Sequence, residues 1–262
     1  CIRDSHGTFS IGLLTSKINL EGPIIKGKTS FNISARRSYL DLLAKPFMPD
    51  DEKYSYYFYD MNAKINHKFS DRSRMFLSAY HGKDHFAADY DGNTDFKDGS
   101  NMGWGNTIVS ARWNYIFNNR LFSNTTVSYN NYLFDVNAYT NNQYSTGAGA
   151  IILNRYSSNY HSGITDWSYQ IDFDYNPTPA HHIKFGTGYL FHRFQPDVTT
   201  SVISDKTDNR IDRDTTYHNA NNSRIHAHEV TAYAEDNFKI GSRLLSLIHI
   251  PSPRDMRRSR MP

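Results

Sequence analysis

Cysteine is almost absent from this 262-residue chain, and long apolar runs are missing altogether. The single cysteine, Cys1, has no partner in the chain for a disulfide. No stretch approaches the roughly 18 consecutive apolar residues of a transmembrane helix. The formal net charge of +3 is too small to indicate nucleic acid as a partner. The sequence therefore excludes a disulfide-rich scaffold and a helical membrane protein, and we predict no nucleic-acid binding.

Motifs for catalysis and cofactor binding are missing as well. The chain has no glycine-rich phosphate loop, no G-x-S-x-G turn and no H-E-x-x-H pair. We therefore predict that it is not an enzyme and has no catalytic residue, cofactor or metal, and we assign no ligand-binding residue. A basic and then apolar leader is also missing from the N-terminus, and we expect that the beginning of the protein precedes Cys1.

Aromatic residues are what the chain has in excess. They make up 15% of it, with 19 Tyr and 16 Phe, although the mean hydropathy is only −0.67. Disordered chains share the low hydropathy but not the aromatic content. Aromatic and polar residues occur together where aromatic girdles border the polar lumen of a transmembrane β-barrel.

The segment Tyr57–Phe69 shows the pattern most clearly. Its odd positions are largely apolar, whereas its even positions after Phe58 are all polar or charged. Because side chains alternate between the two faces of a β-strand, the segment is predicted to be a strand with one apolar and one polar face. It is longer than an ordinary strand of about 5–6 residues and long enough for the roughly 9–11 that cross a bilayer.

Similar segments recur along the chain and predict nine strands. These are Phe9–Leu20, Thr29–Tyr39, Tyr57–Phe69, Arg74–Tyr80, Thr107–Phe117, Leu121–Leu133, Asp166–Tyr175, His182–Arg193 and Ile225–Phe238. Short turns alternate with long polar connections, which span His81–Gly103, Asp135–Gly163 and Gln195–Arg224. Short turns on one side and long loops on the other are typical of outer-membrane barrels. A β-sandwich is the alternative, although shorter strands and loops would be expected of it.

The predicted number of strands has a consequence for closure. Bacterial single-chain barrels have an even number of strands, whereas nine is odd. An open edge in lipid would leave backbone groups unpaired, at several kcal/mol each. We therefore expect that the chain is part of a larger barrel and does not fold stably alone.

Several polar clusters are candidate sites. His226 and His228 share one strand face but have no third ligand nearby in sequence, and the neighbours His181 and His182 point to opposite faces. The acidic residues Asp60, Asp166, Asp172 and Asp174 fit a charged lumen wall better than an acid–base pair. Arg36 and Arg37 are adjacent, so at most one faces the lumen.

The long connections also combine aromatic side chains with many Asn and Asp residues. These aromatic residues are Phe86, Tyr90, Tyr139, Tyr144, Tyr156, Tyr160 and Tyr217. Such a combination is suited either to ligand recognition at the outer mouth or simply to solvated loops.

Local sequence and hairpin order together resemble a known family. The segments GTFSIGLLTSKINLEGPI from Gly7 and TSFNISARRSYLDLL from Thr29 resemble the first barrel hairpin of TonB-dependent outer-membrane receptors of the Bacteroidetes type. The segment YFYDMNAKINHKFS from Tyr57 is similar to the next hairpin, and WGNT from Trp104 with RWNY from Arg112 to the third. The resemblance extends over roughly Gly7 to Arg243.

The resemblance implies an all-β fold: about nine antiparallel strands of a barrel of about 22, with short periplasmic turns and long extracellular loops. It implies nutrient uptake in the outer membrane, energised by the TonB–ExbB–ExbD complex through N-terminal regions that precede this chain. Outer-membrane lipid, the imported nutrient and a surface substrate-binding lipoprotein are the other partners that it suggests. Iron chelates, glycans, peptides and vitamins are the substrates of such receptors. A passive porin-like or adhesin barrel and a soluble β-sandwich carbohydrate-binding module are the alternative functions.

The same resemblance divides the chain into three parts. Residues 1–7 are predicted to end the join between plug and barrel, and residues 8–244 to form the partial barrel. Residues 245–262 abandon the alternation and become rich in proline and arginine. They resemble translated sequencing adapter, and we predict that they are a non-native tail rather than a basic tail for an anionic surface.

Overall fold

A computed structural model describes residues 4–92, 96–145, 151–207, 210–218, 224–240 and 244–250. Its elements are β1 (His6–Ile11), β2 (Thr15–Ile25), β3 (Thr29–Ser38), α1 (Leu40–Ala44), a 3-10 turn (Lys45–Phe47), β4 (Glu52–Lys68), β5 (Ser73–Gly92), β6 (Phe96–Asn118), β7 (Leu121–Ser145), β8 (Ile151–Thr178), β9 (His181–Thr207), β10 (Arg210–His218), β11 (Ile225–Ile240) and β12 (Leu244–Ile250). None of the helices in these ranges is long and apolar enough to cross a membrane.

The strands form one antiparallel sheet in a simple up-and-down order. Each strand from β1 to β9 pairs with the next along the chain, β9 then pairs with β11, and β11 with β12. In the described part of the chain, the strand β10 pairs with the outer half of β9. The sheet confirms the predicted all-β antiparallel barrel fragment. In the described ranges all 12 strands belong to this sheet, so the two packed sheets of a β-sandwich do not occur there.

Two details of the strand prediction are corrected. The described ranges contain 12 strands rather than nine. The predicted first strand Phe9–Leu20 is divided into β1 and β2 by a turn, in which the backbone N–H of Gly12 donates to the carbonyl of Thr15 over 2.8 Å. The strand β12 covers Leu244–Ile250, whereas residues 251–262 lie outside the described part. The proposed division of the chain into three parts stays a prediction.

The long connections are long as predicted, but they are strands rather than loops. The hairpin of β5 and β6 occupies most of His81–Gly103, and the hairpin of β7 and β8 most of Asp135–Gly163. In Gln195–Arg224, β9 continues to Thr207 and pairs with β10. Because paired strands satisfy each other's backbone groups, these polar segments gain order without burying an apolar face.

The lengths of these strands exceed what a bilayer needs. The strand β8 has 28 residues and β7 has 25. At about 3.4 Å per residue, 25 residues extend about 80 Å, whereas a tilted membrane strand needs only about 9–11 residues. Each long hairpin therefore has two halves along the strand direction: an inner half next to the tight turns and an outer half further from them. These halves are distinct from the two faces of the sheet.

A continuous apolar band runs across the inner half of the sheet on one face. Directly opposed residues of β4 to β9 and of β11 form one of its rows, Ile65, Leu77, Ala111, Val127, Tyr169, Tyr189 and Val230. We call this the outer face of the sheet. The opposite, inner face carries a polar row of Lys64, Ser78, Ser110, Ser128 and Ser168. Hydroxyl pairs link it across strands, at 2.7 Å for Ser78 and Ser110 and 2.5 Å for Ser128 and Ser168.

The sheet has no ordinary hydrophobic core. Among the described residues, the only hydrophobic side chain that is buried is Ala87, whereas Trp167 is 52% and Val230 70% exposed. The accessible surface is 17978 Å². A compact monomer of the same mass would expose about 12,000 Å². The apolar outer band is thus not covered by any described part of the chain.

Candidate ligand-binding surface

The polarity of the two faces is exchanged in the outer halves of the hairpins. On the outer face, the apolar band ends near Leu133, and the next positions on the same face are Asp135 and Asn137. On the inner face, the polar row is followed by Phe134 and Val136. The outer face thus becomes polar where the inner face becomes aromatic.

The aromatic positions of the inner face belong to adjacent strands in register. Phe58 of β4 opposes Asp84 of β5, which opposes Trp104 of β6 and then Phe134 of β7. Two residues further from the turns, the next row on the inner face contains Tyr56, Phe86, Met102, Val136 and Tyr160. We call Tyr54, Tyr56, Phe58, Phe86, Trp104, Phe134, Tyr156 and Tyr160 the inner aromatic surface.

Ring contacts and hydrogen bonds hold this surface in place. The rings of Phe134 and Tyr160 meet edge to face with centroids 5.9 Å apart. The Tyr56 hydroxyl donates to Asp84 over 3.1 Å. Except for Tyr54 and Tyr156, which are exposed, its side chains are half-buried, so their ring faces are both oriented and accessible.

A shallow cleft of about 340 Å³ lies on this surface at the level of Tyr90. Its inner-face lining combines aromatic and small side chains with one carboxylate, and consists of Tyr54, Ala88, Tyr90, Asp98, Ser100, Ala138, Thr140 and Tyr156. Oδ1 of Asp98 is buried and accepts no hydrogen bond from the described residues. The volume is at the lower end of the range for small-molecule sites, about 300–1,000 Å³.

Carboxylates affect the ionisation of the nearby tyrosines. Burial, followed by the hydrogen bond and charge of Asp84, raises the pKa of Tyr56 above its usual value. The hydrogen bond to Glu52 and its charge raise the pKa of Tyr54. On the opposite, outer face, Tyr139 donates to Asp89 over 2.9 Å, and this bond raises the pKa of Tyr139.

The histidine pairs are placed by the fold in ways that do not form a metal cluster. His226 and His228 lie on the outer face against Phe191, with ring centroids 5.7 and 5.0 Å away. His181 contacts Asp236 at 2.7 Å, and His182 contacts Asp174 at 2.9 Å. No group of three or more His, Cys, Asp or Glu side chains suited to a metal occurs in the described ranges.

The acidic residues that the sequence suggested each have a separate partner on the inner face. Asp166 accepts from Asn130 and contacts His192 at 2.7 Å. Asp172 accepts from the Tyr233 hydroxyl over 2.8 Å. The role of these residues as a charged lumen wall stays a prediction.

The neighbouring arginines lie on opposite faces, as predicted. Arg36 pairs with Asp60 at 2.6 Å on the inner face, and its guanidinium lies 5.1 Å from the ring centre of Phe58. Arg37 lies on the outer face, 5.2 Å from the ring centre of Tyr57.

The sequence identified only part of the inner aromatic surface. Six of the predicted aromatic residues lie on the inner face, namely Phe86, Tyr90, Tyr144, Tyr156, Tyr160 and Tyr217, whereas Tyr139 lies on the outer face. The residues that sequence reasoning missed are Tyr54, Tyr56, Phe58, Trp104 and Phe134. The available signal was the two-residue spacing of Tyr54, Tyr56 and Phe58 along β4, but it can be used only once the strands are known to continue past the apolar band.

Comparison with known proteins gave only distant similarities. No protein-family model and no curated protein matches the chain. A bacterial polysaccharide outer membrane secretin aligns with 86% of this chain and 84% of its own length, at 9% identity and a TM-score of 0.18. The siderophore receptor PirA from Acinetobacter baumannii aligns with 91% of this chain and 48% of its own length, at 8% identity and a TM-score of 0.25. TM-scores this low support no inference about the chain.

Proposed function

We propose that this chain forms part of the barrel wall of an outer-membrane TonB-dependent receptor, which imports a nutrient. The observation that carries the proposal is the apolar band on the outer face. It crosses seven strands in register, its large side chains are exposed, and the opposite face is polar. Lipid is the surrounding that matches this arrangement, because it would cover the band while water fills the lumen.

Aromatic side chains at both edges of the band support the same surroundings. Near the tight turns, the rings of Tyr115 and Phe117 meet at 4.8 Å, and those of Phe173 and Phe185 stack at 5.0 Å. Near the outer edge, Tyr59 lies in the same row as Leu133, and its ring centroid is 5.8 Å from that of His81. Tyrosine and tryptophan are enriched where a barrel passes from lipid to water, so the two groups fit the two girdles of a membrane barrel.

The role of this segment in transport follows from its two halves. The inner halves of the hairpins supply wall strands, and the outer halves supply a wall above the membrane with an aromatic inner surface. In the proposed receptor, energy comes from the TonB–ExbB–ExbD complex through a plug, a surface lipoprotein assists substrate capture, and this segment performs no catalysis. Binding at the outer mouth and movement of the plug then deliver the nutrient.

The test uses the complete gene from the source DNA, expressed with its own upstream and downstream sequence. We expect the product in the outer-membrane fraction, with slower migration in gels after heating than before. Uptake of the nutrient by these cells should stop when a protonophore collapses the inner-membrane potential. Uptake that continues without the potential would favour the passive porin-like barrel, and a product in the soluble fraction would contradict every barrel.

A further inference from the structure

The charges on the inner aromatic surface have one sign. From Phe58 outward, the charged inner-face side chains described on β4 to β8 are the acidic residues Glu52, Asp84 and Asp98. No Lys, Arg or His occupies a described inner-face position of these strand segments. The outer face of the same segments has both signs, with Lys83 and Arg155 as well as Asp89 and Asp135.

A protein cation already binds at the lower edge of this surface. The Arg36 guanidinium lies over Phe58 at 5.1 Å and pairs with Asp60 at 2.6 Å. An aromatic face together with a carboxylate is thus a combination that this sheet uses for a positive charge. Further outward, Asp84 and Asp98 are accompanied by aromatic faces, but the described inner-face positions of β4 to β8 at these levels hold no Lys, Arg or His.

We propose that the inner aromatic surface binds a ligand that carries cationic groups on an apolar or aromatic body, such as a basic peptide. Ring faces attract cations through their quadrupoles, and a surface that carries only negative charges raises the local concentration of cations. Anionic ligands are disfavoured, because Arg36 at the lower edge is already paired with Asp60 and the described inner-face positions from Phe58 outward on β4 to β8 hold no other cation. The proposal deepens the proposed function by giving its substrate class, and it rests on that function for access from outside.

The experiment uses the full-length receptor in detergent and a pair of capped tripeptides, acetyl-Lys-Phe-Lys-amide and acetyl-Glu-Phe-Glu-amide. Calorimetry should give a Kd for the basic peptide that is lower by a factor of about 10 at about 0.05 M salt, and the factor should shrink at about 0.5 M salt because screening shortens the range of the charges. Asp98→Asn removes one carboxylate without changing its size, and we expect binding of the basic peptide to weaken about threefold or more. The matched control is Asp135→Asn, on the outer face of β7, which should leave this Kd unchanged.

Three results would overturn the proposal. These are equal or tighter binding of the acidic peptide, no binding of either peptide, and tighter binding of a neutral malto-oligosaccharide than of the basic peptide. If energised uptake and outer-membrane assembly persist in such a case, the proposed function stands and only the ligand class is wrong. A receptor that fails to reach the outer membrane refutes the proposed function instead.

Discussion

Replacing Val127 by lysine tests whether the outer band faces lipid. Val127 is 45% exposed and lies in the row that joins Ala111 to Tyr169. It is about 20 Å along β7 from Leu121 at roughly 3.4 Å per residue, and a tilt of about 45° reduces this to about 14 Å of depth. An apolar band of a membrane barrel is about 25 Å tall, so Val127 lies near its middle.

The expected cost follows from this depth. Lysine at the midplane of the lipid face destabilises a membrane barrel by about 2–4 kcal/mol, which corresponds to a factor of about 30 to 1,000 in the folding equilibrium. The matched control is Asn124→Lys on the inner face of the same strand, where the directly opposed residue on β8 is Asp172. There a lysine meets a carboxylate and a polar lumen, so we expect a change below about 1 kcal/mol.

The assay is reversible unfolding of the full-length receptor in lipid vesicles by denaturant, with tryptophan fluorescence as the signal. Val127→Lys should lower the free energy of unfolding by the amount given above, and Asn124→Lys should not. If both variants lose the same stability, or if Val127→Lys loses none, the outer band does not face lipid. In a soluble chain, Val127→Lys would lose no stability, because water accommodates a lysine on an exposed face.

Three further predictions concern turns, close contacts and ionisation. Gly27 has φ of 76° with open space around a Cβ, so Gly27→Ala should cost about 1–2 kcal/mol in unfolding experiments through backbone strain alone, and Lys26→Ala, next to it, should cost less. A Cβ at Gly186 would lie 2.6 Å from the Ile171 carbonyl oxygen, so Gly186→Ala should lower the free energy of unfolding by about 1–3 kcal/mol. The control Gly188→Ala should lower it less, because the closest contact of its Cβ is the movable Thr231 hydroxyl. Equal losses would contradict the argument. The raised pKa of Tyr139 means that its contribution to stability is complete below about pH 10 and is lost as the pH rises through the raised value. Asp89→Asn should lower that pKa in an ultraviolet titration, with Tyr139→Phe identifying the signal, and an unchanged titration would refute the assigned cause.

The inner halves of the hairpins could be predicted from the sequence because apolar and polar residues alternate there, which places them on opposite faces of a strand. The segments Thr107–Phe117 and Asp166–Tyr175 lie entirely within β6 and β8. The tight turns were also predicted, since Asn, Asp, Gly and Pro mark them. Near Asn118, for example, its side chain accepts from the backbone N–H groups of Arg120 and Leu121 at 2.8 and 3.0 Å.

The outer halves could not be predicted in the same way. In Asp135–Ser145, polar side chains occur at both parities, so the alternation that identifies a strand is weak. What makes the segment a strand is its pairing with β6 and β8 along its described length. Pairing of this kind is a long-range property, and a reading of local pattern alone treats such a segment as a loop.

The exchange of polarity also indicates where the membrane would end. The pairing of β5 with β6 and of β7 with β8 continues without a register shift, so no bulge causes the exchange. A strand without a bulge keeps alternate residues on the same face along its whole length. The exchange is therefore caused by a change in which alternate positions of the sequence are polar. From Leu121 to Leu133, near which the apolar band ends on the outer face of β7, the strand covers about 41 Å, or about 29 Å of depth at a tilt of about 45°. This depth matches a hydrocarbon core of about 30 Å. A strand whose outer face contacts lipid below that level and water above it must exchange the polarity of its faces there.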